Sequence, residues 1–129
     1  MKVLFVCTGN TCRSPFAAAV ARRDGLDAES AGLSAFESSP ATSDAVAVAA
    51  EHGIDLASHR ARKLTPALLD AAEIVVVMTG DHLRAIESDK ARLLMEADVN
   101  DPIGHGVDAY RRTYRQIESG VRALVGELR

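Results

Sequence analysis

The chain has 129 residues, of which 47% are hydrophobic and 26% charged, and its formal net charge is −3. This length and composition predict a single globular domain over residues 1–129. The small acidic excess argues against a nucleic-acid-binding protein, because no surplus of Lys and Arg exists to neutralise phosphates. The longest strongly apolar run, residues 74–78, is too short to span a membrane. We therefore expect a monomeric cytoplasmic protein with no membrane or nucleic-acid partner.

The predicted elements alternate along the chain, which is typical of strands joined by helices. Short apolar or strand-forming runs predict four strands, at residues 3–6, 27–31, 73–78 and 92–95. Cap residues, first-turn prolines and helical apolar spacing predict five helices, at residues 15–23, 44–52, 66–70, 81–88 and 107–128. Alternation of this kind implies an α/β fold, in which a parallel sheet carries helices on both faces.

The stretch from Cys7 to Ser14, CTGNTCRS, lies between the first strand and the first helix, for which Ser14 is the expected N-cap. Backbone N–H groups in such a loop, together with the helix dipole, bind anions. The same positive potential favours the thiolate form of Cys7, and Arg13 adds a fixed guanidinium. Cys7 is therefore a candidate nucleophile for phosphoryl transfer, with Arg13 as the cation that binds the phosphoryl oxygens. The candidate substrate-binding residues are Thr8, Gly9, Asn10, Thr11, Cys12 and Ser14.

A carboxylate farther along the chain completes this set of candidates. Asp101 precedes Pro102, which restricts the backbone of Asp101 and helps to hold its side chain in one direction. The carboxyl group of Asp101 is a candidate general acid for the leaving atom and a general base for the attacking water. The alternative is a simple Asp-Pro turn.

CTGNTCRSP resembles the phosphate-binding loop of the low-molecular-weight protein tyrosine phosphatases. The resemblance continues in the family's order through Ser30-Ala31-Gly32, residues 52–62 and Asp101-Pro102. It implies a three-layer α/β sandwich with a four-stranded parallel sheet, a cysteinyl-phosphate intermediate, phosphorylated proteins as substrates, and neither metal nor cofactor. It also implies that Asn10, Ser30 and His59 brace the loop.

Thr11 narrows the expected substrate within that family. Members that act on phosphotyrosine commonly carry a bulkier aliphatic residue there, whereas the Thr of CTGNTCRS resembles the bacterial protein-arginine phosphatases. Residues 101–118 also resemble that subgroup, although the subgroup usually has an aromatic residue where Ile103 stands. Phe36 is a candidate wall of the substrate pocket. Phosphoarginine is therefore the expected substrate, and phosphotyrosine is the alternative.

Two other functions fit the same loop. A thiol-dependent arsenate reductase is less favoured, because no cysteine follows Cys12. The reducing equivalents would have to come from Cys12 itself or from an external thiol. A module that binds phosphorylated partners without turnover is disfavoured by the presence of Cys7, Arg13 and Asp101 together. In a phosphatase, Cys12 is placed to resolve an oxidised Cys7 as a disulfide, which would make the activity redox-sensitive.

Overall fold

The structure, a computed structural model, describes residues 1–129. Its four strands are β1 (Lys2–Cys7), β2 (Asp27–Gly32), β3 (Ile74–Val77) and β4 (Ala91–Leu93). Its five α-helices are α1 (Arg13–Arg23), α2 (Ser43–Glu51), α3 (Pro66–Ala71), α4 (Gly80–Ile86) and α5 (Val107–Leu128). The predicted α/β class with a four-stranded parallel sheet is confirmed. No helix combines the length and the apolar character needed to cross a membrane.

The sheet has the strand order β2-β1-β3-β4, and every neighbouring pair is parallel. The chain leaves β1 through α1 to reach β2 on one side, whereas β3 and β4 lie on the other side. The loops after β1 and β3 therefore diverge, and the crevice between them is where ligands bind in sheets of this kind. Cys7 ends β1, and Thr79 follows β3 as the N-cap of α4.

The core is divided between the two faces of the sheet, because successive side chains of a strand point to opposite faces. Val3 and Phe5 belong to a large cluster with residues of α1, α2 and α5. Leu4 and Val6 belong to a smaller cluster, against which leucines of α3 and α4 pack. Burial of β1 on both faces explains its continuous apolar run and confirms the three-layer arrangement.

The start of α1 differs from the expectation. Helix α1 begins at Arg13, and Cys12 occupies the N-cap position without a side-chain cap hydrogen bond. The assignment of Ser14 as the N-cap is therefore wrong. The Ser14 hydroxyl instead lies 2.9 Å from Cys7 Sγ and accepts a hydrogen bond from the Asn10 side chain, so contacts within the loop replace the helix cap.

Gly32 at the end of β2 permits the close approach of the loop that follows β1. A Cβ atom at Gly32 would lie 2.7 Å from the Thr8 carbonyl oxygen and 2.9 Å from the Asn10 backbone nitrogen. Both are backbone atoms, which cannot move aside by a change of rotamer. The path of the loop over residues 8–10 therefore depends on the absence of a side chain at this position.

We expect Gly32→Ala to lower the free energy of unfolding by about 1–3 kcal/mol, the usual cost of forcing extra atoms into packed structure. Gly126→Ala is the matched control, since a Cβ at this α5 position meets nothing within 4 Å and alanine favours a helix over glycine by about 0.5–1 kcal/mol. Urea unfolding of both variants measures the difference. Wild-type stability in Gly32→Ala would contradict the proposed packing constraint.

Candidate active site

The candidate nucleophile lies at the end of the central strand β1, where the chain turns into α1. Cys7 is buried, and its Sγ lies 2.9 Å from the Ser14 hydroxyl oxygen. Asn10 Nδ2 donates to that same oxygen at 2.8 Å, and the hydroxyl proton of Ser14 has two acceptors within reach, Cys7 Sγ and the Ala31 carbonyl oxygen at 3.4 Å. Residues 7–14 therefore arrange a hydrogen-bond donor beside a sulfur at the mouth of the loop.

Asn10 holds this loop from inside. Its backbone is left-handed, with φ of 56°, a conformation that Asn adopts more readily than most residues. Its Nδ2 also donates to Ser30 Oγ at 2.9 Å, and its Oδ1 accepts from the Arg62 backbone N–H at 3.0 Å. His59 Nε2–H donates to the Asn10 carbonyl oxygen at 2.7 Å. The structure thus brings Ser30 and His59 to the loop, and burial lowers the pKa of His59.

Arg13 is almost fully buried and is held on three sides. Its Nη1 donates to the Val99 carbonyl oxygen at 2.9 Å, and its Nη2 donates to Thr8 Oγ1 at 3.4 Å. The same Nη2 lies 3.7 Å from Asp101 Oδ2. Arg13 Nε is buried and has no hydrogen-bond partner within the protein. The guanidinium is therefore fixed in orientation, and its buried Nε–H is unused.

Asp101 lies over the phosphate loop, although it is 88 residues from Arg13 in the chain. Its Oδ1 accepts from Cys12 Sγ at 3.6 Å and from the Ile103 backbone N–H at 3.1 Å. The side chain of Asp101 remains 44% exposed, so solvent and ligand can both reach it. Burial, and then the nearby Cys7 and Asp101, raise the pKa of Cys12 far above its ordinary value, which keeps Cys12 as a thiol that donates to the carboxylate.

A stacked aromatic pair supports the loop from below and was not expected as part of the site. The Tyr114 hydroxyl donates to the Cys12 carbonyl oxygen at 2.7 Å, and Phe16 stacks on the Tyr114 ring with centroids 3.9 Å apart. Burial raises the pKa of Tyr114. The apolar spacing that predicts a helix over residues 107–128 carried no signal of this hydroxyl contact.

The long loop of residues 33–42 is joined to the phosphate loop at both of its ends. Backbone N–H groups of Leu33 and Ser34 donate to the carbonyl oxygens of Cys7 and Thr8, each at 2.9 Å. At the other end the Thr42 N–H donates to the Thr11 carbonyl oxygen at 3.1 Å. This attachment places the long loop along the rim of the site.

The rim carries exposed side chains of different character. Phe36 is 83% exposed on the long loop, and Ile103 is 46% exposed beside Asp101. The Thr11 side chain is partly exposed, and its hydroxyl makes no hydrogen bond within the protein. No three His, Cys, Asp or Glu side chains lie close enough to hold a metal ion.

His82 is a residue of the site that sequence reasoning missed. It lies on α4, is 5% exposed, and its Nε2 is 3.0 Å from Thr8 Oγ1, the atom that also accepts from Arg13. Its Nδ1 is buried without a partner. Burial and the Arg13 charge lower the pKa of His82. The available signal was its position directly after β3, at the same sheet edge as Cys7.

Comparison with known proteins agrees with this geometry. A family model described as low molecular weight phosphotyrosine protein phosphatase matches residues 2–129. The chain belongs to this family. The protein-arginine-phosphatase of Bacillus subtilis is 38% identical, with 100% of this chain and 97% of the relative covered. EpsP of Ralstonia nicotianae, a probable low molecular weight protein-tyrosine-phosphatase, is 37% identical, with 98% and 95% covered.

A solved structure of a family member carries a modified nucleophile. In YwlE arginine phosphatase with its active-site cysteine replaced by serine, that serine is phosphorylated. The two chains superpose with a TM-score of 0.94 at 34% identity, and 99% of this chain and 95% of that chain are covered. The resemblance stated from the sequence is confirmed, and this protein is a cysteine-based protein phosphatase of the low-molecular-weight family.

The buried imidazole of His82 predicts a dependence of stability on pH. The folded state holds the pKa of His82 below its ordinary value of 6.5, so below that pH the unfolded chain binds a proton that the native state does not. The free energy of unfolding should therefore fall as the pH falls below 6.5. We expect His82→Gln to remove this part of the pH dependence in urea unfolding measured from about pH 7 to about pH 5.

The exposed His105 provides the control for this measurement, and His105→Gln should leave the slope of stability against pH as in the wild type. If His82→Gln and the wild type lost stability in parallel on acidification, His82 would not be the group responsible.

Proposed function

We propose that the protein hydrolyses phosphoarginine residues in proteins through a cysteinyl-phosphate intermediate on Cys7. The observation that carries the substrate assignment is the Thr11 hydroxyl, which lies within the phosphate loop and has no partner in the protein. A guanidino N–H of phosphoarginine can donate to this oxygen, whereas a phenyl ring has no such donor. The similarity to a relative named protein-arginine-phosphatase supports the same assignment.

In the first chemical step the Cys7 thiolate attacks phosphorus in line with the leaving nitrogen. The S–P bond forms as the P–N bond breaks, and Asp101, which is protonated at the start of this step, transfers its proton to the departing guanidino nitrogen. Backbone N–H groups of the loop and the Arg13 guanidinium bind the phosphoryl oxygens, and the unused Arg13 Nε–H supports this role. The arginine side chain leaves, and Cys7 carries the phosphoryl group.

In the second step water attacks the phosphorus atom of the intermediate. The Asp101 carboxylate accepts a proton from this water, the S–P bond breaks and inorganic phosphate is released. The departing sulfur takes up negative charge, and the Ser14 hydroxyl, 2.9 Å away, donates to it. This hydrogen bond stabilises the thiolate both as a nucleophile and as a leaving group.

Phosphotyrosine is the second candidate substrate, since EpsP, a relative of similar identity, is named a probable protein-tyrosine-phosphatase. Against it, the residue after Asp101-Pro102 is Ile103, which offers no aromatic face for a phenol ring to stack on. Phe36 is the exposed aromatic residue of the rim, and we propose it as a wall of the pocket for either substrate.

Cys12 provides a route by which activity would respond to oxidants. Peroxide would convert the Cys7 thiolate to a sulfenic acid, and the Cys12 thiol would displace water from it to form a disulfide. Both cysteines are free in this structure. An external thiol would then reduce the disulfide and restore Cys7.

The covalent mechanism predicts distinct results for two variants. Cys7→Ser should abolish phosphate release and instead accumulate one phosphoryl group on Ser at position 7, because serine is a poorer leaving group; mass spectrometry after incubation with a phosphoarginine peptide measures this.

Asp101→Asn should lower kcat by about a hundredfold to ten-thousandfold, the usual contribution of a general acid. Asp108→Asn, which alters an exposed carboxylate paired with Arg111, is the control. Turnover that survives in Cys7→Ser would refute the mechanism.

The substrate assignment predicts that the preference for phosphoarginine depends on Thr11. The ratio of kcat/KM for phosphoarginine over phosphotyrosine peptides should exceed unity in the wild type and fall about tenfold or more in Thr11→Val, which removes only the hydroxyl. Thr11→Ile should fall at least as far, and Thr11→Ser should keep the preference. A wild-type preference for phosphotyrosine would contradict the arginine assignment while leaving the covalent mechanism intact.

A further inference from the structure

A cleft of about 530 Å³ lies beside Asp101 and outside the phosphate loop. It is formed by the segment of residues 100–105 and by the first half of α5, and no residue of the loop from Cys7 to Ser14 lines it. Its polar lining residues are Asn100, Asp101, His105, Arg112, Thr113 and Gln116. Asp101 is shared with the candidate active site, so a ligand in the cleft would be next to a bound substrate.

The polar side chains of this cleft, other than Asp101, have no partner in the protein. These side chains make neither a hydrogen bond nor an ion pair within the protein, and they belong to Asn100, His105, Arg112, Thr113 and Gln116. Thr113 is only 7% exposed, but its hydroxyl oxygen is not among the buried atoms that lack a partner, so this oxygen is the part of the side chain that a ligand can reach. The cleft therefore offers several unused hydrogen-bonding groups that one bound ligand could contact.

Arg112 brings to the cleft a guanidinium that forms no ion pair within the protein. Its neighbour Arg111 forms ion pairs with Glu51 and Asp108. Among the arginines of the chain, only Arg112 and Arg115 have neither an ion pair nor a side-chain hydrogen bond. Arg115 lies on the same helix but does not line the cleft.

The Asp101 carboxylate also lines the cleft, but its contacts lie on the side of the phosphate loop. Its Oδ1 accepts from Cys12 of the phosphate loop and from the Ile103 N–H, and its Oδ2 lies 3.7 Å from Arg13 Nη2. A singly charged carboxylate suits one guanidinium and neutral donors, whereas a dianionic phosphate would face stronger repulsion from Asp101. A second phosphoryl group is thus a poorer fit.

We propose that this cleft binds an acidic side chain of the phosphorylated protein substrate, close to the phosphorylated residue, and so contributes to substrate selection. The inference rests on the proposed function, because it assumes that one polypeptide occupies both the phosphate loop and the cleft. Arg112 would pair with the carboxylate, and Thr113, Gln116 and Asn100 would donate hydrogen bonds to it.

The test compares peptides that differ only in one charge. Phosphoarginine peptides carry Glu at each flanking position in turn, and each is paired with a peptide that has Gln there. Binding to the Cys7→Ala protein is measured by fluorescence anisotropy, which does not depend on turnover. At one position or two adjacent ones we expect the Glu peptide to bind about fivefold more tightly, an effect that added salt reduces.

The substitution that tests the cleft is Arg112→Gln in the Cys7→Ala protein, which should bind each Glu and Gln pair equally. Arg112→Glu should reverse the preference in favour of peptides with Lys at that position. Arg115→Gln is the matched control and should keep the wild-type preference. Because each ratio is measured within one protein, a loss of folded material does not alter it.

The proposal is overturned if no position favours Glu, if the preference persists in Arg112→Gln, or if Arg115→Gln removes it equally. Wild-type turnover of the same peptides separates this proposal from the proposed function. Equal turnover of Glu and Gln peptides, with equal binding, would remove the cleft proposal and leave the phosphatase assignment standing. A Glu preference in binding without phosphate release would support the cleft and contradict the phosphoarginine assignment.

Discussion

The shape of the phosphate loop depends on one buried amide, the side chain of Asn10. Its two N–H groups and its oxygen are all used, by Ser14, Ser30 and the Arg62 backbone, while His59 holds its carbonyl group. An unpaired buried polar group costs about 1–3 kcal/mol, so a rotation of Asn10 would leave several groups unsatisfied at once. The loop is therefore held in a left-handed turn that its own local sequence would not maintain.

The rigidity of the loop fixes the hydrogen-bond donors around Cys7 and the phosphoryl group. With Asn10 donating to Ser14, the Ser14 oxygen is held 2.9 Å from Cys7 Sγ, where its hydroxyl can donate to a thiolate. Arg13 is clamped by Val99 and Thr8, so its guanidinium need not reorganise when a phosphoryl group binds. Preorganised donors of this kind stabilise developing charge more effectively than mobile ones. The parallel sheet contributes by ending β1 and β3 at the same edge, where Thr8 after β1 lies 3.0 Å from His82 of α4.

Much of the candidate site could be predicted from the sequence because it is contiguous. Cys7, Arg13 and the residues between them lie in one loop, and a buried strand before it and a helix after it are both legible as local patterns. Asp101 was identified through Asp-Pro and the family resemblance, since 88 residues separate it from Arg13. His82 and Tyr114 were missed because their contacts, to Thr8 and Cys12, span 74 and 102 residues and leave no periodic signal.

The sequence by itself determined the alternation of strands and helices, the α/β class and the loop that joins a nucleophile to a cation. These follow from side-chain polarity and backbone preference over a few residues. Only the tertiary structure decided that Tyr114 donates to Cys12, that His82 contacts Thr8, and that Arg112 lacks an acidic partner while Arg111 has two. Such outcomes depend on distances between segments that are remote in the chain, and hydrogen-bonding groups pair with whichever partner the packed fold brings within about 3 Å.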